Sequence, residues 1–202
     1  MIGSKRVALL GAIGATALSS TAMAHGEADW LHAAMDGAVM LVTALEFLLP
    51  VFLVSLLAGR RVARFVFLQA AVLGIGLLLG LWVLPGPADL ATIGLYARVY
   101  LIGLGLLVLF DLRLYAGVVL LLLLATGGVT GLEARSAITA DPAAGLVLTF
   151  GFVLSAICLY LPTALIASRF GGGWQRIAIR VAASWIAAIA AVDVAFMIAP
   201  PG

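Results

Sequence analysis

Five polar side chains lie inside long apolar stretches of this sequence, where an ionisable group is costly. They are Thr43, Glu46, Arg98, Glu133 and Asp193. A carboxylate at the centre of a bilayer costs about 2.5–3.5 kcal/mol on insertion scales, so such a group faces other helices and finds a partner. We therefore expect Glu46 to face the interior of a helix bundle and to be either protonated or paired.

Glu46 shares a helical face with Thr43 and Pro50, at spacings i, i+3 and i+7. Because proline has no N–H for the carbonyl four residues back, Pro50 creates a local polar notch at Glu46. If the helix is straight, Glu46 lies about 18 Å from its outer end, near the bilayer centre. Two interpretations stay open: a proton or cation site, or a protonated carboxyl that joins two helices by a hydrogen bond.

Four charged residues fall near the outer ends of their predicted spans: Asp36, Arg98, Glu133 and Asp193. They could form one outward-facing polar cluster, or they could be separate residues that reach the headgroups. The second interpretation is favoured for Arg98. For Asp193 a buried partner is expected, because its span continues to Ile198.

Both histidines of the chain, His25 and His32, lie in a polar leader together with Asp29 and Asp36. An N-terminal His25 would offer its amine and ring nitrogen as a chelating pair, and imidazole with carboxylate suits divalent nickel, copper or zinc. A solvated leader with Trp30 at the membrane interface is the favoured interpretation, since two histidines seldom make a tight site.

Composition restricts the class of protein. The 202 residues are 65% hydrophobic and 10% charged, against about 45–50% and 25% in soluble domains. The excess of Lys and Arg over Asp and Glu is only 11 to 9, so no nucleic-acid surface is expected. A single cysteine, Cys158, excludes a disulfide framework. The sequence lacks the Walker, GxSxG, CxxC and HExxH motifs, so we do not expect an enzyme.

The remaining class is an all-α, polytopic membrane protein. Residues 1–24 have the basic start, short apolar run and Ala22-Met23-Ala24 site of a cleaved signal peptide, and an uncleaved anchor is the second interpretation. Residues 25–202 then form a single domain of six transmembrane helices. The predicted spans are 34–57, 65–84, 94–110, 114–130, 145–167 and 177–198. Lipid is the expected surrounding, with a membrane-protein partner or a second copy also considered.

The distribution of arginine predicts the orientation. With the mature N-terminus outside, the inner loops contain Arg60, Arg61, Arg64, Arg113, Arg169, Arg176 and Arg180, and the outer side only Arg98 and Arg135. A cleaved signal requires the same orientation. We therefore predict a bacterial inner-membrane protein with both mature termini in the periplasm.

Four segments resemble motifs of the HupE/UreJ family of small bacterial inner-membrane proteins. Residues 40–49 are similar to the family's HPxxGxDHLL motif, residues 126–133 to HGxAHGxE, residues 151–160 to GFxLATxLLH and residues 180–189 to its closing RxAGxxIAA run. The resemblance covers most of residues 20–195. It implies about six spans and a role in nickel or cobalt uptake for hydrogenase and urease.

The chain departs from that family at its histidines, which are the family's expected metal ligands. They fall on residues such as Met40, Phe47, Thr126 and Tyr160, while Glu46 and Glu133 keep carboxylates at two motif positions. Two functions follow. One is a permease or metallocentre accessory protein for nickel, cobalt or copper, with capture at the leader and passage past Glu133 and Glu46. The other is a non-transporting subunit or assembly factor of another membrane complex.

Overall fold

The computed structural model describes residues 29–62, 65–84, 90–112, 114–139, 142–170 and 173–199. The predicted signal peptide and His25 lie outside these residues. The described residues form seven α-helices and no strand, which confirms the all-α fold class. The helices are α1 (Asp29–Thr43), α2 (Leu45–Val62), α3 (Val66–Leu78), α4 (Leu90–Phe110), α5 (Ala116–Ile138), α6 (Pro142–Arg169) and α7 (Trp174–Ile198). A π-helical turn, Leu79–Val83, continues α3.

Five of these helical segments are long and apolar enough to cross a membrane, and they match the last five predicted spans. The first predicted span, 34–57, is wrong as a continuous helix, because α1 and α2 meet at a bend of 73°. The prediction that the fourth span ends near residue 130 is also wrong, since α5 continues to Ile138. Ala134 and Ile138 are fully buried there, so packing extends the helix through a stretch that looks polar in sequence.

The bend lies at Ala44, between α1 and α2. The Ala44 carbonyl accepts hydrogen bonds from the amides of Phe47 and Leu48, at 3.0 and 3.1 Å, and so begins α2. Thr43 donates its hydroxyl to the Val39 carbonyl at 2.8 Å, a bond that favours bending in a helix. Glu46 therefore sits in the first turn of α2, and the depth of 18 Å expected from a straight helix does not apply.

The described residues from Ala33 to Ala199 form one compact unit. Within residues 33–202, α2 packs on α6, α3 on α5 and α4 on α7. Two glycine pairs at i, i+4 spacing bring α3 and α5 together: Gly76 with Gly80, and Gly127 with Gly131. A Cβ at Gly127 would overlap the Leu73 backbone. Small residues therefore let these two helices approach closely.

Candidate functional site

A cleft of about 440 Å³ opens among α2, α4, α5 and α7, beside the bend at Ala44. All five polar residues singled out from the sequence line it: Thr43, Glu46, Arg98, Glu133 and Asp193. The rest of the lining is apolar, including Leu49, Leu101 and Ile189. Asp36, which we expected in the same cluster, is exposed on α1 and is not among the lining residues.

The helix directions explain why these residues meet. Glu46 stands at the start of α2 and Arg98 two turns into α4, while Glu133 and Asp193 lie little more than a turn before the ends of α5 and α7. Because α4 runs antiparallel to α5 and α7, all four positions fall at the same end of the bundle. The ionised carboxylate of Glu46 is also stabilised by its position in the first turn of a helix, where the backbone dipole favours a negative charge.

Arg98 bridges two carboxylates. Its Nη2 donates to Glu46 Oε2 at 2.8 Å, and its Nη1 donates to Glu133 Oε1. The exposed fractions of the three side chains are 16% for Arg98, 10% for Glu133 and 41% for Glu46. The interpretation of Arg98 as a residue that reaches the headgroups is therefore wrong, because its guanidinium turns inward to join α2, α4 and α5.

The cleft has an excess of negative charge. With all groups ionised, Glu46, Glu133 and Asp193 outnumber Arg98 and leave a net charge of −2. The surrounding apolar side chains lower the local dielectric constant and strengthen every electrostatic interaction in the cleft. Protons or a cation would reduce this imbalance, so the charge of the cleft favours cations over anions.

A second polar feature, missed from the sequence, follows one face of α5. Thr126, Thr130 and Glu133 stand at i, i+4 and i+7, and the Tyr100 hydroxyl lies 2.8 Å from Thr126 Oγ1. Thr130 is fully buried, and its hydroxyl has no hydrogen-bond partner in the part of the chain that the structure describes. The i, i+4, i+7 spacing of these residues is visible in the sequence and is the signal that could have identified this face.

A third polar group lies at the opposite end of the bundle, where α4 ends. Arg60 of α2 and Arg176 of α7 both bind the carboxylate of Asp111, the first at 3.2 Å. The Asp111 side chain is only 8% exposed, and its φ of 52° is left-handed, a conformation more accessible to Asp than to most residues. The ion pairs of Asp111 with these two arginines could not be predicted from the sequence, because the three residues lie far apart in it.

The residues expected to bind metal are only partly described. His25 and the side chain of Asp29 lie outside the described residues, and His32 and Asp36 lie on α1. Among the residues that the structure describes, no three His, Cys, Asp or Glu side chains are grouped so that they could hold a metal ion. A leader metal site therefore stays a prediction.

The fold and the cleft together define an all-helical protein whose apolar helices can span a membrane. No family model, no curated protein and no solved structure matches the chain.

Proposed function

We propose that the protein is a cation permease of the bacterial inner membrane, of the HupE/UreJ kind, and that the cation passes through the cleft without being ligated by all three of its carboxylates at once. The observation that carries this proposal is the meeting of three carboxylates and one arginine in an otherwise apolar cleft. Ionisable groups at membrane depth are typical of ion and substrate pathways in transporters. Nickel and cobalt are the cations that the family resemblance implies.

In this proposal the guanidinium of Arg98 takes the place of a bound cation. It is paired with Glu46 and Glu133. An incoming cation competes with the guanidinium for the same oxygens, and Asp193 supplies the negative charge that first attracts it. Oxygen ligands hold nickel or cobalt less firmly than imidazole or thiolate does. Weak binding suits transport, since an ion must leave its site as easily as it enters.

The proposed orientation places the cleft toward the periplasm, with both mature termini on that side. His25 and His32 would then capture metal from the periplasm, and Arg60 and Arg176 would lie at the cytoplasmic end. Asp111 holds these two arginines together at the end where α4 stops.

The test is nickel and cobalt accumulation in proteoliposomes that contain the purified protein. We expect Glu133→Gln and Asp193→Asn to reduce accumulation at least tenfold, because each removes negative charge from the cleft. Ser155→Ala is the matched control: Ser155 lies on α6, outside the cleft, and its hydroxyl bonds only the local Phe152 carbonyl. Accumulation no greater in wild-type vesicles than in protein-free vesicles would rule out the permease.

The second candidate is a non-transporting subunit or assembly factor of another membrane complex. The double ion pair of Arg98 favours it, because an arginine held by two carboxylates can equally be a structural tie between helices. In that case Glu133→Gln would lower the melting temperature, wild-type vesicles would accumulate no metal, and loss of the gene would reduce the amount of the partner complex in the membrane.

A further inference from the structure

We propose that the cation taken by this protein is an organic ammonium with an apolar tail, whose charge is held at Asp193 and whose tail lies in a groove along α7. This inference rests on the proposed function and names the substrate class of the same site. It starts from a second cavity, of about 560 Å³, that adjoins the cleft and is lined by six residues of α7.

The groove lies between two rows of side chains that follow i, i+4 spacing along α7. The first row is Ser184, Ala188 and Val192, and the second is Trp185, Ile189 and Asp193. Serine and alanine are small, so they leave room beside the larger side chains of the second row. From residue 184 to residue 193 the helix rises about 13.5 Å, which is long enough for an extended apolar chain.

This groove faces away from the bundle. Its side chains Trp185, Ile189 and Val192 are 68%, 53% and 52% exposed. The buried side chains of α7 belong to its other face: Ile179, Ala183, Ile186, Ala187 and Ala190. Only 22% of the α7 span is buried, the smallest share among the five candidate spans. In a membrane the groove is therefore open to the lipid, where amphiphilic molecules concentrate.

Asp193 connects the groove to the cleft. Asp193 and Ile189 line both cavities, so the two cavities share a wall. Asp193 is exposed and forms no ion pair with another described residue, whereas Glu46 and Glu133 both pair with Arg98. A carboxylate in an apolar span attracts a positive charge. The charged head of the ligand therefore lies at Asp193, where the groove meets the cleft.

An organic ammonium suits these cavities better than a metal ion does. A metal ion needs several oxygen, nitrogen or sulfur ligands around it, and among the described residues no three His, Cys, Asp or Glu side chains are grouped in that way. An organic cation needs only a counter-charge and apolar walls, which is the usual make-up of small-molecule sites of about 300–1,000 Å³. The cleft and the groove, at about 440 and 560 Å³, both fall in that range. Trp185 lies eight residues from Asp193, about 12 Å along the helix, so it contacts the tail and not the charge.

The test measures the binding of hexyltrimethylammonium to the purified protein in phosphatidylcholine vesicles, with protein-free vesicles as the background. This probe carries a permanent charge, so it cannot cross the lipid as a neutral amine. We expect saturable binding that is at least tenfold tighter than that of tetramethylammonium, which has the same charge and no tail. Hexanesulfonate, which has the tail and the opposite charge, should show no saturable binding. Equal affinities for the two ammonium ions would overturn the role of the groove.

Variants of the groove test its two ends separately. Asp193→Asn should weaken binding at least tenfold, and Asp193→Glu, which keeps the charge, should stay within threefold of wild type. Trp185→Leu should weaken binding at least threefold. Trp174→Leu is the matched control, because Trp174 is 75% exposed at the first residue of α7 and is not among the residues that line either cavity. Asp193 and Trp185 are both exposed, so these variants should melt at the wild-type temperature. The comparison of the two ammonium ions needs no variant.

The outcomes separate this inference from the proposed function. Nickel accumulation in wild-type proteoliposomes without hexyltrimethylammonium binding would overturn the inference and leave the permease intact. Binding that depends on Asp193, without accumulation of nickel or of the probe, would overturn the permease and leave the groove as an ammonium site. Wild-type affinity in Asp193→Asn would overturn the role of Asp193. Phosphatidylethanolamine that copurifies with the wild type but not with Asp193→Asn would assign the groove to a lipid, and a dimer that Asp193→Asn dissociates would assign it to a second copy. Either result would overturn the proposal.

Discussion

Arg98 Nη2 lies 2.8 Å from Glu46 Oε2, although the two residues are 52 positions apart. The contact joins the third turn of α4 to the first turn of α2, immediately after the bend at Ala44. The same guanidinium binds Glu133 of α5. One side chain thus links three helices, α2, α4 and α5, around the cleft.

The first prediction concerns how much each of these three charged side chains contributes to the free energy of unfolding. Arg98→Ala should lower the free energy of unfolding by about 3–5 kcal/mol, because it leaves Glu133 buried and unpaired. Glu46→Gln should cost at most about 1 kcal/mol, since Glu46 is 41% exposed. The loss of stability in Arg98→Lys should lie between these two losses, because the lysine ammonium lacks the forked guanidinium that reaches both carboxylates. Thermal unfolding in detergent measures the order of these three stability losses. Equal losses of stability in Arg98→Ala and Glu46→Gln would contradict the prediction.

The second prediction concerns the contact between α3 and α5. Gly127→Ala should cost about 1–3 kcal/mol, because the new Cβ would overlap the backbone of Leu73 and Leu77 and the helices would have to separate. Gly103→Ala is the matched control: Gly103 lies within α4 with no atom in the way of a Cβ, so no loss is expected. The melting temperatures of the two variants test this prediction. A Gly127→Ala protein that melts at the wild-type temperature would refute the close contact between α3 and α5.

Most of the fold could be predicted from apolar run length, because a lipid-exposed span must be continuous and apolar. The bend at Ala44 could not. Its own residues are compatible with a helix, and the proline that signals a break, Pro50, lies six positions further on. The extension of α5 to Ile138 was missed for a related reason: Glu133 and Arg135 look like a loop until their partners, the Arg98 guanidinium and the Leu84 carbonyl, are known.

The members of the cleft could be predicted, but their pairing could not. A charge in an apolar span requires a partner, and this argument selects Glu46, Glu133 and Asp193. The buried partner expected for Asp193 is wrong, because Asp193 is exposed and forms no ion pair with another described residue. It does not say which of several arginines is the partner, because that depends on helix packing between residues far apart in sequence. Asp111 shows the same limit, since its arginines come from α2 and α7.

The third prediction concerns orientation. A reporter fused after Gly202 should be active outside the cytoplasm, and one inserted at residues 171–173 should be active inside, because the arginines concentrate in the loops on that side. Paired reporters that are each active in only one compartment would measure this. The reverse pattern would overturn the arginine argument and the proposed direction of the cleft.

The fourth prediction concerns Asp111. Asparagine tolerates the left-handed φ of 52° and has nearly the same shape, so Asp111→Asn removes charge without straining the backbone. We expect it to lower the free energy of unfolding by more than Glu46→Gln does, because the Asp111 carboxylate is only 8% exposed and its loss leaves Arg60 without its charge partner. Asp111→Ala should lower the free energy of unfolding further than Asp111→Asn does, since alanine in the left-handed conformation adds backbone strain. If Asp111→Asn and Asp111→Ala unfold at the wild-type temperature, the ion pairs do not hold α2, α4 and α7 together.

The last prediction concerns metal at the leader. Cleavage after Ala24 would expose the amine of His25, so N-terminal sequencing of the membrane-purified protein should begin at His25. In a nickel or copper titration, any site formed by the leader should be lost both in His25→Ala and in His32→Ala. It should also weaken below about pH 6, because ligation needs neutral imidazole. Glu133→Gln is the matched control and should leave this site unchanged, since Glu133 belongs to the cleft. Tight binding that survives both histidine changes would contradict the leader site and place the metal among the carboxylates of the bundle instead.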